Sequence, residues 1–285
     1  MKPELNDLRR LAADIRIRTI RSLEKFGAGH IGGSMSIADI LAVLYGQVLR
    51  YKADDPTWEG RDRLVMSKGH CGPAQYAVLA LSGFFPEDWL STLNQGGTRL
   101  PSHCDSNKTP GIDATTGSLG QGVSIACGLA QGAVLKGKKH ITYALLGDGE
   151  LQEGQVWEAV QFAVSRKLDR LVMLVDDNGM QLDGPTINKE IGLVERFKSF
   201  GCEVHTVNGH NVAEMVPLLE RIRDSAGNGK PIVVILQTAK GCGCIFAEEK
   251  EINHHMPVSA QDANRAIDEI ERRLAAGLLP GGGAA

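Results

Sequence analysis

The sequence predicts an α/β fold, a parallel sheet with helices on both faces. Two observations carry this. Four short apolar or β-branched runs, ITYALL (141–146), LVMLV (171–175), CEVHTV (202–207) and IVVIL (232–236), recur through the second half of the chain. Between them lie segments of helical character near 153–166, 190–199 and 211–224. The runs have strand length, and strands alternating with helices pack as a parallel sheet covered on two sides.

The elements follow in order. Residues 5–26 read as a helix with Leu8, Leu11, Ile15 and Leu23 on its apolar face. Arg9, Arg10, Arg16, Arg18 and Arg21 fall between them and are expected to form a solvated face. GAGHIGGSMS (27–36) reads as a glycine-rich loop, with Ser36 capping a helix over IADILAVLYGQVL. RLVMSKGHCGPAQYAVLAL (63–81) reads as a short strand, a loop and a helix. Residues 94–118 are polar, rich in Gly and Pro and without periodicity. A loop of that length in a compact domain is usually functional or mobile. A helix is expected from about Leu119 to Leu135 and a last one over roughly 260–275. Residues 1–275 are expected to form one domain, and 276–285 (GLLPGGGAA at its end) a flexible tail.

Composition narrows the function classes. With 31 Lys plus Arg against 34 Asp plus Glu in 285 residues, the net charge is −3, which lacks the basic excess of a nucleic-acid binder. The longest apolar runs are far too short to span a bilayer. MKPELNDLRR has no apolar signal core, so a cytoplasmic protein is expected. The six cysteines (71, 104, 127, 202, 242, 244) show no CxxC and read as reduced, buried thiols. Cys242 and Cys244 offer two ligands where zinc normally takes four.

Ligands of open α/β sheets bind outside the carboxyl ends of the strands. Two such ends carry hard oxygen donors: Gly147-Asp148-Gly149 after ITYALL, and Asp176-Asp177-Asn178-Gly179 after LVMLV. If these strands are neighbours, Asp148 and Asn178 can meet. One carboxylate and one amide oxygen suit Mg²⁺, which shares its shell with phosphates and water. Gly149 permits close backbone approach, and a helix starting near Glu153 offers free N–H groups to an anion. A lone GDG also fits a simple turn with Asp148 as a helix cap. Glu150 is expected to be solvated.

Five segments in order, GAGHIGGSMS, DRLVMSKGHCGPAQYAVLAL, LPSHCD, TTGSLGQG, and GDGELQEGQVWEA running on to DDNGMQLDGPT, resemble the N-terminal region of transketolase. The resemblance covers most of residues 5–260. It implies a thiamine diphosphate-binding fold of Rossmann-like type, with Mg²⁺ held by Asp148, Asn178 and the Met180 carbonyl. Gly147 and Gly149 would lie at the diphosphate, Gly149 donating its N–H, and Gly117 and Leu119 would touch the aminopyrimidine through the backbone. Glu153 would sit near the subunit interface and link cofactor sites. His30, His70 and His103 match channel positions that bond sugar hydroxyls and relay protons, and His70 would also reach the diphosphate. A fourth histidine is His254 or His255, with His254 preferred and placed at the cofactor as well. Imidazole suits this work because its pKa lies near neutrality. His140, His205 and His210 match nothing in the family.

The implied activity is transfer of a two-carbon ketol unit from a ketose (phosphate) to an aldose. Ile31 stands where the family has proline, and the third histidine lies in Ser102-His103-Cys104 rather than GHP, which touches the acceptor side. The family's single-chain enzymes carry two further domains, one supplying the glutamate that activates the aminopyrimidine. The resemblance therefore implies a split enzyme: a partner subunit bearing the pyrimidine-binding and C-terminal domains, in an α2β2 assembly. The other readings are a deoxyxylulose-phosphate synthase or 2-oxoacid dehydrogenase component, a non-catalytic cofactor-binding subunit, and a Rossmann-like nucleotide binder. The last lacks a GxGxxG after its first strand.

Overall fold

The computed structural model describes residues 4–187 and 191–278. Its elements are α1 (Leu5–Phe26), β1 (Ala28–Gly29), α2 (Ile31–Ser36), α3 (Ala38–Val43), β2 (Arg63–Met66), α4 (Gly72–Leu81), α5 (Gln121–Leu135), β3 (Thr142–Gly147), α6 (Gly154–Ser165), β4 (Leu171–Asp177), α7 (Leu193–Phe200), β5 (Glu203–Asn208), α8 (Val212–Ser225), β6 (Ile232–Gln237), α9 (Ile245–Glu248), β7 (Met256–Pro257) and α10 (Ala260–Ala275). Five strands form one parallel sheet in the order β2-β3-β4-β6-β5. β1 and β7 pair separately as a small antiparallel ribbon. The start of the helix expected over 190–199 and the tail from 279 onward lie outside the described residues.

Alternation along the strands puts successive side chains on opposite faces of the sheet. Leu145, Leu174, Val234 and Leu236 join the core that packs under α1, α3, α4 and α8. Ala144, Leu146, Met173, Val175 and Ile235 face the second core, with Val123 and Ala126 of α5, Val156 and Val160 of α6 and Phe197 of α7. β2, β3, β4 and β6 are thus buried on both faces, which is why they read as continuous apolar runs, while the edge strand β5 is only partly covered. Among the described residues no helix is long and apolar enough to cross a membrane.

Two expectations need correction here. Residues 31–36 of the glycine-rich stretch are helical, not loop, because all six are buried and packing overrides the poor helix propensity of glycine. Ser36 caps nothing: its hydroxyl reaches the Asp176 carboxylate at 2.7 Å and the Gly33 carbonyl at 3.1 Å. The second correction concerns Arg16. It is fully buried and paired with Asp39, whereas Arg10, Arg18 and Arg21 make partly exposed ion pairs as a solvated face would.

Candidate active site

A cavity of about 500 Å³ opens at the carboxyl end of the sheet. Four adjacent strands feed it, since Ser67 and Lys68 follow β2, Asp148 follows β3, Asn178 follows β4 and Thr238 follows β6. The β3–β4 register sets Gly147 opposite Asp176, so the two acidic turns are neighbours. The Asp148 N–H donates to the Asp176 carbonyl at 3.1 Å. The Asp148 carboxylate accepts the Gly149 N–H at 2.9 Å and the Gly179 N–H at 2.6 Å. Asn178 and Met180 line the same wall, and Asn178 Oδ1 accepts the Met180 N–H at 3.1 Å. Burial first, and then the nearby Asp176 carboxylate, push the Asp148 carboxyl up to about 7. A buried carboxylate beside another carboxylate is a costly arrangement for the bare protein, and a divalent cation relieves it.

Asp176 organises this wall, and its role was not assigned from the sequence. Fully buried, it accepts from Lys68 Nζ at 2.6 Å, Ser36 Oγ at 2.7 Å, Asn178 Nδ2 at 2.7 Å and Thr238 Oγ1 at 2.6 Å. Its bond from Nδ2 fixes the Asn178 amide, leaving Oδ1, which accepts the Met180 N–H, as the end with a lone pair to offer a ligand. Burial disfavours both charges of the pair. Their mutual attraction more than offsets it, holding Asp176 below the usual carboxylate range and Lys68 above the usual lysine range. Asp176→Ala leaves the Lys68 ammonium buried and unpaired and is expected to destabilise the chain by about 3–5 kcal/mol in urea unfolding. A lowered carboxylate pKa contributes stability above its unfolded value of 3.8, and a raised lysine pKa contributes below 10.5. The loss on substitution should therefore be flat from about pH 5 to about pH 9.

Glu150 is a further correction: it is 2% exposed rather than solvated. One oxygen accepts the Ser67 hydroxyl at 2.5 Å and the Gly120 N–H at 2.9 Å, and the other accepts the Gly147 N–H at 3.2 Å. One side chain thus ties together the segments SKGH, GSLGQG and GDG. Gly120 has φ +80°, and a Cβ there would stand 3.0 Å from Glu153 Cβ, so the turn that presents Gly117 and Leu119 to the cavity needs glycine. Glu153 is exposed at the cavity's edge.

The opposite wall is imidazole. His30, His70, His103 and His254 all line the cavity. The His30 ring lies 5.3 Å from those of His70 and His103, 5.2 Å from His254 and 4.8 Å from His255, while His70 and His254 are 4.7 Å apart. His255 is exposed. Burial, then the neighbouring rings, lowers His30 to about 3; burial, then Lys240, lowers His254 to about 4. His70 and His103 also shift down, chiefly through burial. All four are therefore neutral at pH 7, each able to offer one N–H and one lone pair. Lys68 and Lys240, neither assigned from the sequence, add positive charge, and Lys240 Nζ rests on the Gln181 carbonyl at 2.6 Å. Oxygen donors on one side and cations with neutral imidazoles on the other suit a divalent cation bound together with an anion. His140 and His205 lie outside the cavity lining.

The chain is similar to several known proteins. The family model described as "Transketolase, thiamine diphosphate binding domain" matches residues 8–271. A 6-deoxy-6-sulfo-D-fructose transketolase subunit from a Clostridium species is 44% identical over 95% of this chain and 99% of its own length. One of the subunits of an apulose-4-phosphate transketolase, from Actinobacillus succinogenes, is 40% identical over 85% of this chain and 88% of its own. Human transketolase is 37% identical over 95% of this chain but only 43% of its own. The crystal structure of transketolase from Campylobacter jejuni superposes with TM-score 0.86 at 31% identity, covering 99% of this chain and 44% of that one. The chain thus spans less than half the length of these two full-length transketolases.

Proposed function

Because this chain belongs to the transketolase family, matching its thiamine diphosphate-binding domain over most of its length, we propose that it is the N-terminal subunit of a two-chain transketolase. It moves a two-carbon ketol unit from a ketose or ketose phosphate to an aldose. One observation carries the reading: the hard oxygens of Asp148, Asn178 and Met180 share a cavity with His30, His70, His103 and His254. The Clostridium and Actinobacillus relatives, which match along most of their own length, are named as subunits, which supports a partner chain.

Asp148, Asn178 and the Met180 carbonyl would hold Mg²⁺, and the Gly149 N–H with Lys240, His70 and His254 would hold the diphosphate. Gly147 supports the same turn. The Gly117 and Leu119 backbone would meet the aminopyrimidine. When bound, thiamine diphosphate would supply a nucleophilic carbon to add to the ketose carbonyl and a cationic ring to take up the electron pair of the broken carbon–carbon bond. The chain's residues do the rest. His30 and His103 bond the sugar hydroxyls and exchange their protons through neutral ring nitrogens, and the apolar side of Leu119 excludes water. Glu153, at the exposed edge, would meet a second copy of the site in an α2β2 assembly.

The relatives' names specify sugars with a sulfonate or phosphate at one end, and a donor of that anionic class is proposed here too. The test is co-expression with the partner chain, followed by assay with thiamine diphosphate, Mg²⁺, a ketose phosphate or sulfo-ketose, and an aldose acceptor. Transfer that stops on EDTA treatment is expected. A complex that binds the cofactor and transfers nothing from any of these donors refutes the reading.

A further inference from the structure

Arg16 of α1, Asp39 of α3 and His210 after β5 form a buried polar chain behind the cavity wall. The Arg16 guanidinium grips Asp39 through bonds of 3.1 and 2.6 Å. His210 Nδ1 meets Asp39 Oδ2 at 2.9 Å, and its Nε2 accepts the Ala239 N–H at 2.9 Å. Arg16 Nε donates to the Cys242 carbonyl at 2.9 Å. Both ends of Ala239-Lys240-Gly241-Cys242 are therefore held from behind. In the middle of this segment, Lys240 points its ammonium into the cavity. The Gly241 N–H donates to the Gly32 carbonyl at 3.0 Å, two residues from His30.

Asp39, His210 and Cys242 also bring three ligand atoms within 4.8 Å of one another, the grouping of a metal site. The surroundings argue against one. Both imidazole nitrogens are engaged, and the guanidinium of Arg16 already neutralises Asp39, so a cation would be placed against a buried cation. Burial opposes a charge on His210, but Asp39 and Cys242 outweigh it and push the imidazole up to about 10, which taken alone would favour a charged ring. A proton on Nε2, however, would face the Ala239 N–H donor against donor at 2.9 Å. The geometry fixes the neutral ring with its proton on Nδ1.

We propose that His210 is a positioning residue for the cofactor diphosphate: backed by Asp39 and Arg16, it holds the Ala239 N–H and thereby aims Lys240 into the cavity. This rests on the cofactor reading above. His210 touches no cavity space of its own, so its effect must travel through the segment 239–242. The bond is half-buried, and without it the segment is freed.

The test compares His210→Asn, which can keep a donor near Asp39 but cannot reach Ala239, with His210→Gln, whose Oε1 can replace Nε2. In the complex with the partner chain, at saturating Mg²⁺, calorimetry should show the thiamine diphosphate Kd rising about tenfold in H210N and returning to within about threefold of wild type in H210Q. K240M should weaken binding too, and H210N added to K240M should weaken it no further, since the two act in series. Hydrogen exchange at the Ala239 amide, measured without cofactor, should quicken about tenfold or more in H210N and slow again in H210Q. Multiplying effects of H210N and K240M, an unchanged Ala239 exchange rate, or one tightly held zinc per chain would overturn the proposal. A wild-type complex that takes up no thiamine diphosphate would instead sink the cofactor reading, while the exchange arm still decides whether His210 holds the segment.

Discussion

Asp148→Ala is expected to lower Mg²⁺-dependent thiamine diphosphate affinity by at least about 100-fold, the upper end of what losing a mere support of a metal ligand costs. Asp148 supplies the only carboxylate in the proposed ligand set, so the cation would be left with two neutral oxygens, Asn178 Oδ1 and the Met180 carbonyl. The neighbouring carboxylate cannot substitute, because Asp176 is spent on Lys68, Ser36, Asn178 and Thr238. The same substitution should not destabilise the metal-free chain. A carboxyl raised by burial to about 7 favours the fold fully below its unfolded value near 3.8, and that contribution disappears as pH rises through about 7. At about pH 8 in EDTA the Asp148→Ala variant should therefore match or exceed the wild-type Tm, and the gap should close as pH falls to about 5. Calorimetric titration and thermal melts separate the two effects. Unchanged affinity refutes the metal assignment, and a lower Tm in EDTA refutes the burial cost.

The sheet was legible because its central strands are buried on both faces and read as unbroken apolar runs, and β5 because its β-branched residues recur in a run of strand length. The acidic turns were legible because Gly147-Asp148-Gly149 and Asn178 sit where such runs stop, and the register sets Gly147 beside Asp176. The residues that hold the site from behind were not legible. Asp176 looked like one more strand-end donor, and nothing in its neighbours' spacing announces that Lys68, 108 positions away, will reach it. Arg16 shares a helix with solvated arginines, and only the packing of α1 on α3 and α4 separates it from them. Glu150 differs from Glu153 by one helical turn in the sequence and by full burial in space. Each of these partners lies far away along the chain, and periodicity carries no information about such pairings. Residues 31–36 failed for a related reason: helix formation there follows from burial and not from local propensity.

Removing the partner chain is expected to reduce ketol transfer by at least about 100-fold, a loss of about 2.7 kcal/mol or more in transition-state stabilisation. The cavity wall formed by this chain supplies oxygen donors, neutral imidazoles and two lysines, and among the described residues no carboxylate is left there to serve as the acid that the family uses to activate the aminopyrimidine. Asp148 is proposed for the metal, Glu150 is consumed by Ser67, Gly120 and Gly147, and Glu153 and Asp183 are exposed at the rim, Asp183 accepting from Gln181 Nε2 at 3.0 Å. The cavity edge also carries Leu182 at 64% exposure. Apolar side chains at a cavity mouth leave water free to quench charge development, and a second chain covering them would exclude it. Cofactor binding should fall less than turnover when the partner is withheld, since the proposed metal and diphosphate ligands all belong to this chain. Calorimetry of the isolated chain beside activity assays of the isolated and reconstituted forms measures that split. Robust turnover by the isolated chain would place the missing acid among its own residues, and Glu153→Gln would then be the first variant to make.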